Sequence, residues 1–103
     1  MFWISQSELE GNTVLALHGE LDSCSEVQAR DALAYTPSRI ILDLEKLEFL
    51  DSRGLRVLIK ARKQCDSRDG WMILSNPRGL VLKLLSALQM DREFLIWEDP
   101  LSL

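Results

Sequence analysis

The chain has 103 residues, of which 47% are apolar and 27% are charged, and its formal net charge at pH 7 is −4. A chain of this size buries roughly two-thirds of its surface around one core, and its composition excludes a disordered or membrane-spanning protein. The acidic balance also argues against a nucleic-acid partner, because such binding draws its affinity from basic side chains on phosphates.

The chain start and the cysteines bear on cellular location and cofactors. Met1-Phe2-Trp3 lacks the basic start of a secretory signal, and no stretch approaches the roughly 20 apolar residues of a membrane-spanning helix. We therefore expect a cytoplasmic protein without membrane insertion. Cys24 and Cys65 form no C-x-x-C motif, so both are expected to be buried free thiols, and neither a metal nor another cofactor is expected.

Two short, partly alternating segments come first in the chain. Residues 2–9 and 13–18 are predicted to be antiparallel strands joined at Glu10-Gly11-Asn12, because glycine and asparagine accept the positive φ angles of a hairpin turn. The single histidine, His18, ends the second strand without an adjacent nucleophile, so a structural role is favoured over a catalytic one.

The segment after the hairpin predicts the first helix. Ser23, with Glu26 three residues later, has the form of a capping box, and the helix is expected to run to about Tyr35. Asp22 has two interpretations. It is a loop residue alone, or its carboxylate lies beside the loop at Asp51-Ser52 because both loops follow adjacent strands of one sheet.

The strongest pattern in the chain spans residues 39–65. Ile40-Ile41-Leu42 is a nearly continuous apolar run, which is typical of a strand buried on both faces of a parallel sheet. After a spacer at 45–50, apolar residues recur at helical spacing, so a helix is expected. Ser52 is its predicted N-cap, and Gly54 removes bulk where the backbone approaches a neighbour closely.

The last third of the chain repeats the order of strand, then helix, then strand. Residues 71–75 predict a second buried strand, and Asn76-Pro77 starts a helix with asparagine as N-cap and proline in the first turn. Residues 93–97 are the predicted final strand, and regular structure is expected to end at 98–100. The predicted apolar face of the helix is Leu80, Val81, Leu84, Leu85 and Leu88.

This order of elements predicts the fold class. Strands that alternate with helices imply a single α/β domain with a mixed, mainly parallel sheet, helices packed on it and an antiparallel hairpin at its N-terminal edge. Residues 1–103 are expected to form that one domain.

Two motifs resemble a known family. L-D-L-x-x-L-x-F-L-D-S-x-G-L at 42–55 and Gly19-Glu20-Leu21-Asp22 are similar to the signature of the STAS domain, the fold of bacterial anti-sigma factor antagonists. The resemblance covers about residues 8–97. It implies that an anti-sigma factor with serine kinase activity binds the unphosphorylated chain and phosphorylates Ser52, and that a phosphatase removes the phosphate.

One departure from the family concerns the end of the chain. STAS domains usually carry a further helix after the last strand, whereas only Pro100-Leu101-Ser102-Leu103 remains here. The sequence therefore does not indicate what covers one face of the sheet, and a second copy of the chain in a homodimer is one alternative.

The loop at Ser52 favours modification over catalysis. A nucleophilic serine needs a base, and no such motif is present, so an enzyme is not expected. The start of a helix stabilises a phosphoryl group, and Arg53 and Arg56 add charge-assisted bonds. The added negative charge beside Asp51 repels a partner fitted to the neutral hydroxyl. The alternative is a STAS subunit of a lipid-transport or stress-signalling assembly, in which Ser52 only caps the helix.

The helix after Ser52 also predicts a docking surface. Residues 53, 56, 57, 60 and 63 share one helical face, which is basic apart from Val57, and a solvated face without a partner is the alternative. Arg53 departs from the small residues common there in the family, so it is expected to tune partner choice. The predicted partner-binding residues are Asp22, Ser23, Leu50, Asp51, Arg53, Gly54, Arg56, Val57 and Lys60.

Overall fold

The computed structural model describes residues 1–98, which contain six strands and three helices. The strands are β1 (Phe2–Leu9), β2 (Asn12–Leu21), β3 (Arg39–Asp43), β4 (Leu47–Leu50), β5 (Trp71–Ser75) and β6 (Leu95–Trp97). The helices are α1 (Glu26–Ala34), α2 (Ser52–Ser67) and α3 (Gly79–Ala87), and a short 3-10 turn precedes β6 at Met90–Arg92. The predictions for residues 99–103, including the absence of a further helix, lie outside the described residues.

All six strands form one mixed sheet, which confirms the predicted α/β class. The strand order is β1-β2-β3-β5-β6; β1 and β2 form an antiparallel hairpin, and the other pairs are parallel. β4 lies off this path and pairs with the C-terminal end of β2, where Leu21 is opposite Leu50. The sequence predicts a spacer at 45–50, whereas residues 47–50 form the strand β4. These four residues are a strand only through their parallel pairing with β2, which the local sequence does not reveal.

The helices cover one face of the sheet. The buried residues of all three helices belong to one cluster with sheet side chains such as Leu42 and Leu74, both 0% exposed. The opposite face carries a smaller cluster of Val14, Ile41 and Ile73. Ile41 and Leu42 are adjacent and both buried, so β3 is buried on both faces, as its apolar run predicts. Full burial of one such side chain contributes about 1.5–3 kcal/mol.

The hairpin and α1 differ in detail from the predictions. The hairpin turn places Glu10 and Gly11, rather than Gly11 and Asn12, at positive φ, with angles of 50° and 82°. α1 begins at Glu26 after the N-cap residue Ser25, which makes no side-chain cap bond, so the predicted capping box at Ser23 is wrong.

The connection from β5 to α3 also differs. α3 begins at Gly79 with Arg78 as N-cap, so Asn76-Pro77 does not start the helix. Asn76 has φ 54°, a left-handed conformation that asparagine tolerates, and its backbone N–H donates to the carbonyl of Trp97 at 2.6 Å. This bond ties the connection to β6 and keeps Asn76 out of the helix.

The apolar face of α3 is narrower than its leucine spacing predicts. Val81 and Leu85 are buried, whereas Leu80 and Leu88 are 62% and 47% exposed. A helix that packs on one side only buries a narrow stripe, so the outer leucines stay in solvent. Cover of one sheet face by a second copy of the chain stays a prediction.

Candidate functional site

The site is built where β4 ends and α2 begins. Asp51 is the N-cap of α2, with extended backbone, and its Oδ1 accepts hydrogen bonds from the backbone N–H groups of Arg53 and Gly54, both at 3.0 Å. The prediction that Ser52 is the cap is therefore wrong by one residue. Ser52 is the first residue of the helix, and its side chain is exposed.

Gly54 explains how closely α2 approaches the sheet. A Cβ at this position would lie 2.4 Å from the carbonyl oxygen of Leu21 and 2.8 Å from side-chain atoms of Leu21 and Leu50. The expected close approach of backbone is thus confirmed. It seats the first turn of α2 against the ends of β2 and β4, so the position of Ser52 is set by the sheet.

The loop after β2 is organised by Asp22. Its Oδ1 accepts from the backbone N–H groups of Cys24 at 2.9 Å and Ser25 at 3.3 Å. The hydroxyl of Ser25 donates to the carbonyl of Glu20 at 2.7 Å and accepts from the N–H of Asp22 at 3.0 Å. Asp22 therefore shapes this turn, and the hydroxyl of Ser25, which is buried, has a structural role.

The two loops lie side by side. The N–H of Asp51 donates to the carbonyl of Leu21 at 3.3 Å, directly before Asp22. The guanidinium of Arg53 reaches the carboxylate of Glu26 at 3.5 Å and links the starts of α1 and α2. The structure thus places the Asp22 loop beside the Asp51-Ser52 loop. The sequence pattern does not predict the Arg53–Glu26 pair, because the two residues are far apart in the chain.

The exposed side of α2 is basic but has no apolar member. Val57 is 6% exposed and packs in the core, so it does not belong to the surface face that its spacing predicts. The buried arc of α2 is wider than expected because the helix packs against β5 and α1 as well as β4. We call the exposed residues Arg53, Arg56, Lys60 and Lys63 the basic face.

The predicted partner-binding residues fall into two groups. Leu50, Gly54 and Val57 are buried and hold the junction in place. The others reach the surface at least in part, at the edge where the Asp22 loop meets α2: Asp22, Ser23, Asp51, Arg53, Arg56 and Lys60.

The cysteines and the histidine lie in different surroundings. Cys24 is exposed in the Asp22 loop, so its predicted burial is wrong, whereas Cys65 is buried in α2 as predicted. Burial raises the pKa of the Cys65 thiol, and the nearby Asp66 raises it further, against the opposing effect of Arg68. His18 is stacked on Trp3 and lies apart from the Ser52 junction.

A mixed sheet covered by helices on one face, with a capped strand-to-helix junction at its edge, defines a class of small α/β domains. Comparison with known families identifies the group within that class: the sequence profile of the STAS domain matches residues 4–101. The chain belongs to the STAS domain family. Among residues 1–98, none of the helices has the length and hydrophobicity needed to cross a membrane.

Individual relatives are similar in sequence or in structure. BtrV of Bordetella bronchiseptica, assigned as an anti-sigma factor antagonist, is 28% identical over an alignment of 75 residues, and the match covers 69% of this chain and 65% of BtrV. The chain thus spans slightly less than two-thirds of this curated relative.

Solved structures share the fold at low sequence identity. The protein TM1081 of Thermotoga maritima, also assigned as an anti-sigma factor antagonist, has TM-score 0.85 and 22% identity, covering 96% of this chain and 89% of its own. The anti-sigma factor antagonist SpoIIAA in its unphosphorylated form has TM-score 0.74 and 21% identity, covering 99% and 92%. Bacillus SpoIIAA in its phosphorylated form has TM-score 0.68 and 23% identity, covering 93% and 90%.

Proposed function

We propose that this chain is an anti-sigma factor antagonist that is switched by phosphorylation of Ser52. In its unphosphorylated form it binds an anti-sigma factor with serine kinase activity. The observation that carries the proposal is that Ser52 is exposed at the start of α2 while Asp51 supplies the cap. The Ser52 hydroxyl is therefore free of a structural task and open to a kinase. Family membership and the descriptions of BtrV and SpoIIAA support the class of partner.

The position of Asp51 changes how a phosphate on Ser52 would be held. The N–H groups of Arg53 and Gly54 already donate to Asp51, and the N–H of Leu55 donates to its carbonyl. The phosphate therefore depends on the guanidinium of Arg53 and on Arg56, one turn further, more than on helix N–H groups. It also brings about −1.5 to −2 charges next to two aspartate loops, which repels a partner fitted to the neutral site.

The alternative is a STAS subunit of a lipid-transport or stress-signalling assembly. Its premise that Ser52 caps the helix is wrong, because Asp51 fills that role; a place in such an assembly stays the alternative to the proposed switch. In this proposal the chain is a cytoplasmic binding module without enzymatic activity. A phosphatase acting on phosphorylated Ser52 resets it, and its main partner is a protein rather than nucleic acid.

Modification is tested with serine variants at both ends of α2. Wild type, Ser52→Ala and Ser67→Ala are incubated with ATP and a candidate kinase, an anti-sigma factor from the same genome, and intact mass is measured. Ser67 is a matched control because it is an exposed serine at the other end of the helix. We expect one phosphate on wild type and on Ser67→Ala, and none on Ser52→Ala. A phosphate on Ser52→Ala contradicts the proposal.

Binding is tested with substitutions that change charge at the junction. Ser52→Ala should bind the anti-sigma factor as wild type does, whereas Ser52→Asp should bind at least tenfold more weakly because it places charge in the loop. The double variant Arg56→Glu, Lys60→Glu should also weaken binding and its salt dependence with little change in melting temperature. The matched control is the double variant Arg68→Glu, Lys83→Glu, at exposed positions outside the basic face. Equal affinity of Ser52→Asp and wild type would refute the switch.

A further inference from the structure

A cavity of about 450 Å³ lies beside the C-terminal half of β2, apart from the Ser52 junction. Its aromatic wall consists of Trp3 on β1 and His18 on β2, whose ring centroids are 3.5 Å apart with ring planes inclined by 8°. The hydroxyl of Ser5 lies 3.0 Å from Nε2 of His18, which holds the imidazole in the stack. Trp3 is nevertheless 48% exposed, so part of its ring can contact a ligand.

The other side of the cavity is acidic. Glu45 in the β3–β4 connection and Glu48 in β4 line it and form no ion pair within residues 1–98, and Lys46 lines it as well and adds one positive charge. Glu20 also lines the cavity, and its carboxylate is paired with the Met1 ammonium at 3.1 Å. The lining thus contains three carboxylates and the ammonium groups of Lys46 and Met1, so it is negative by one charge, and it includes the Trp3–His18 stack.

The two sides are held at a fixed separation. The backbone N–H of Gly19 donates to the carbonyl of Lys46 at 3.2 Å, which fastens the acidic connection to β2. Gly19 has φ 86°, and a Cβ there would lie 1.8 Å from the carbonyl oxygen of Met1, so only glycine lets β1 begin this close to β2. The cavity is therefore formed by paired backbone, and a ligand need not order it.

We propose that this cavity binds an arginine side chain from a basic segment of a protein partner. A guanidinium is planar and weakly hydrated, so it stacks on an indole face and donates to carboxylates at the same time. The volume lies within the roughly 300–1,000 Å³ of small-molecule sites, which leaves room for that group. The proposal does not depend on modification of Ser52.

The surroundings of the cavity favour a peptide segment over an isolated cation. The cavity shares Met1 and Glu20 with a neighbouring depression lined by Asp22, Cys24 and Ser25. A chain whose arginine occupies the cavity can therefore continue along this acidic surface toward the Asp22 loop. Such a surface attracts basic segments and repels acidic ones.

The test compares two blocked tripeptides whose central residue is arginine or citrulline, which has nearly the same shape but no charge. In ¹⁵N NMR titrations of the full chain, the arginine peptide should shift the Trp3 indole N–H and the amides of Gly19 and Glu20, with a millimolar Kd. The citrulline peptide should shift none of them. Equal shifts from both peptides, shifts spread evenly over the acidic surface, or no shift from either peptide would overturn the proposal.

Variants separate the aromatic and acidic contributions. Trp3→Ala and, independently, the double variant Glu45→Gln, Glu48→Gln should each weaken binding of the arginine peptide by about threefold or more. The double variant Glu8→Gln, Glu10→Gln removes the same charge at the far end of the hairpin and should leave the Kd unchanged. If Trp3→Ala does not fold, the Glu45 and Glu48 variant decides alone, since both side chains are exposed. An unchanged Kd in that variant would contradict the proposal.

Discussion

The β4–α2 and β5–α3 junctions lie at the same edge of the sheet and start their helices in opposite ways. Asp51 caps the 16-residue α2 with two side-chain hydrogen bonds, and Gly54 seats its first turn on the sheet. Arg78 gives the nine-residue α3 no side-chain cap, and Gly79 begins that helix at φ 56°. The junction with the side-chain cap and the closely seated helix is the one that presents Ser52.

The difference shows that residue type alone does not place a helix start. Ser52 and Asn76 are both good N-cap residues, yet neither is a cap. Hydrogen bonding of the preceding backbone decides instead. The N–H of Asp51 donates to Leu21, and α2 begins at the next residue; the N–H of Asn76 donates to Trp97, and α3 begins three residues later.

The largest expected effect distinguishes the glycines of the two junctions. Gly54→Ala should lower the free energy of unfolding by about 3 kcal/mol, because the new Cβ would meet backbone at 2.4 Å. Gly79→Ala meets nothing within 4 Å and should cost only about 1 kcal/mol, for the left-handed conformation. Urea unfolding followed by circular dichroism measures both. Equal losses would mean that the two junctions are seated alike.

The next effect compares the two N-caps. Asp51→Ala should cost about 1–2 kcal/mol in unfolding free energy, whereas Arg78→Ala should cost less than about 0.5 kcal/mol, since its side chain makes no cap bond. Asp51→Asn is the control, because asparagine also accepts from the first turn. A harmful Arg78→Ala together with a silent Asp51→Ala in the same urea assay would reverse the comparison.

A smaller effect is expected at Ser52 itself. Because it is not the cap, Ser52→Ala should change the unfolding free energy by less than about 0.5 kcal/mol, and Ser52→Asp should be neutral or stabilising by about 0.3–1 kcal/mol through the helix dipole. Thermal unfolding of both variants checks this. A loss of more than 1 kcal/mol in Ser52→Ala would show that the hydroxyl is structural after all.

The smallest effect is a change of unfolding free energy at alkaline pH. It is expected from the buried face of α2, which contains a thiol, and not from the buried face of α3. The raised pKa of Cys65 means that the unfolded thiol ionises first, so the stability it contributes is present below about pH 8.5 and is lost as pH rises through the folded pKa. Cys65→Ala should flatten this slope of unfolding free energy against pH, which urea unfolding at several pH values measures. The buried side chains of α3, Val81 and Leu85, do not titrate. A slope that persists in Cys65→Ala would assign it to another group.

Strong apolar patterns in the sequence predict the main strands of the sheet and α2 well. They do not predict the short strand β4, the N-cap residue of α2 or the burial of Val57. β3 is apolar enough, and α2 is long enough, for the sequence alone to indicate them. β4 has only four residues, and its strand character comes from pairing with β2, which local sequence does not contain. Asp51 and Ser52 are adjacent cap-forming residues, so the choice between them depends on the hydrogen bond that the N–H of Asp51 donates to the carbonyl of Leu21. The burial of Val57 depends on neighbours that periodicity does not reveal.

The order of the strands has a consequence for synthesis on the ribosome. After the β1–β2 hairpin, β3, β5 and β6 each join the same growing side of the sheet in the sequence in which they are made. β4 pairs with the end of β2 that β3 leaves free, and it precedes α2 in the chain. Each emerging strand thus meets a partner that is already present, and none has to be displaced. Every element of the Ser52 junction therefore precedes the last two strands in the chain.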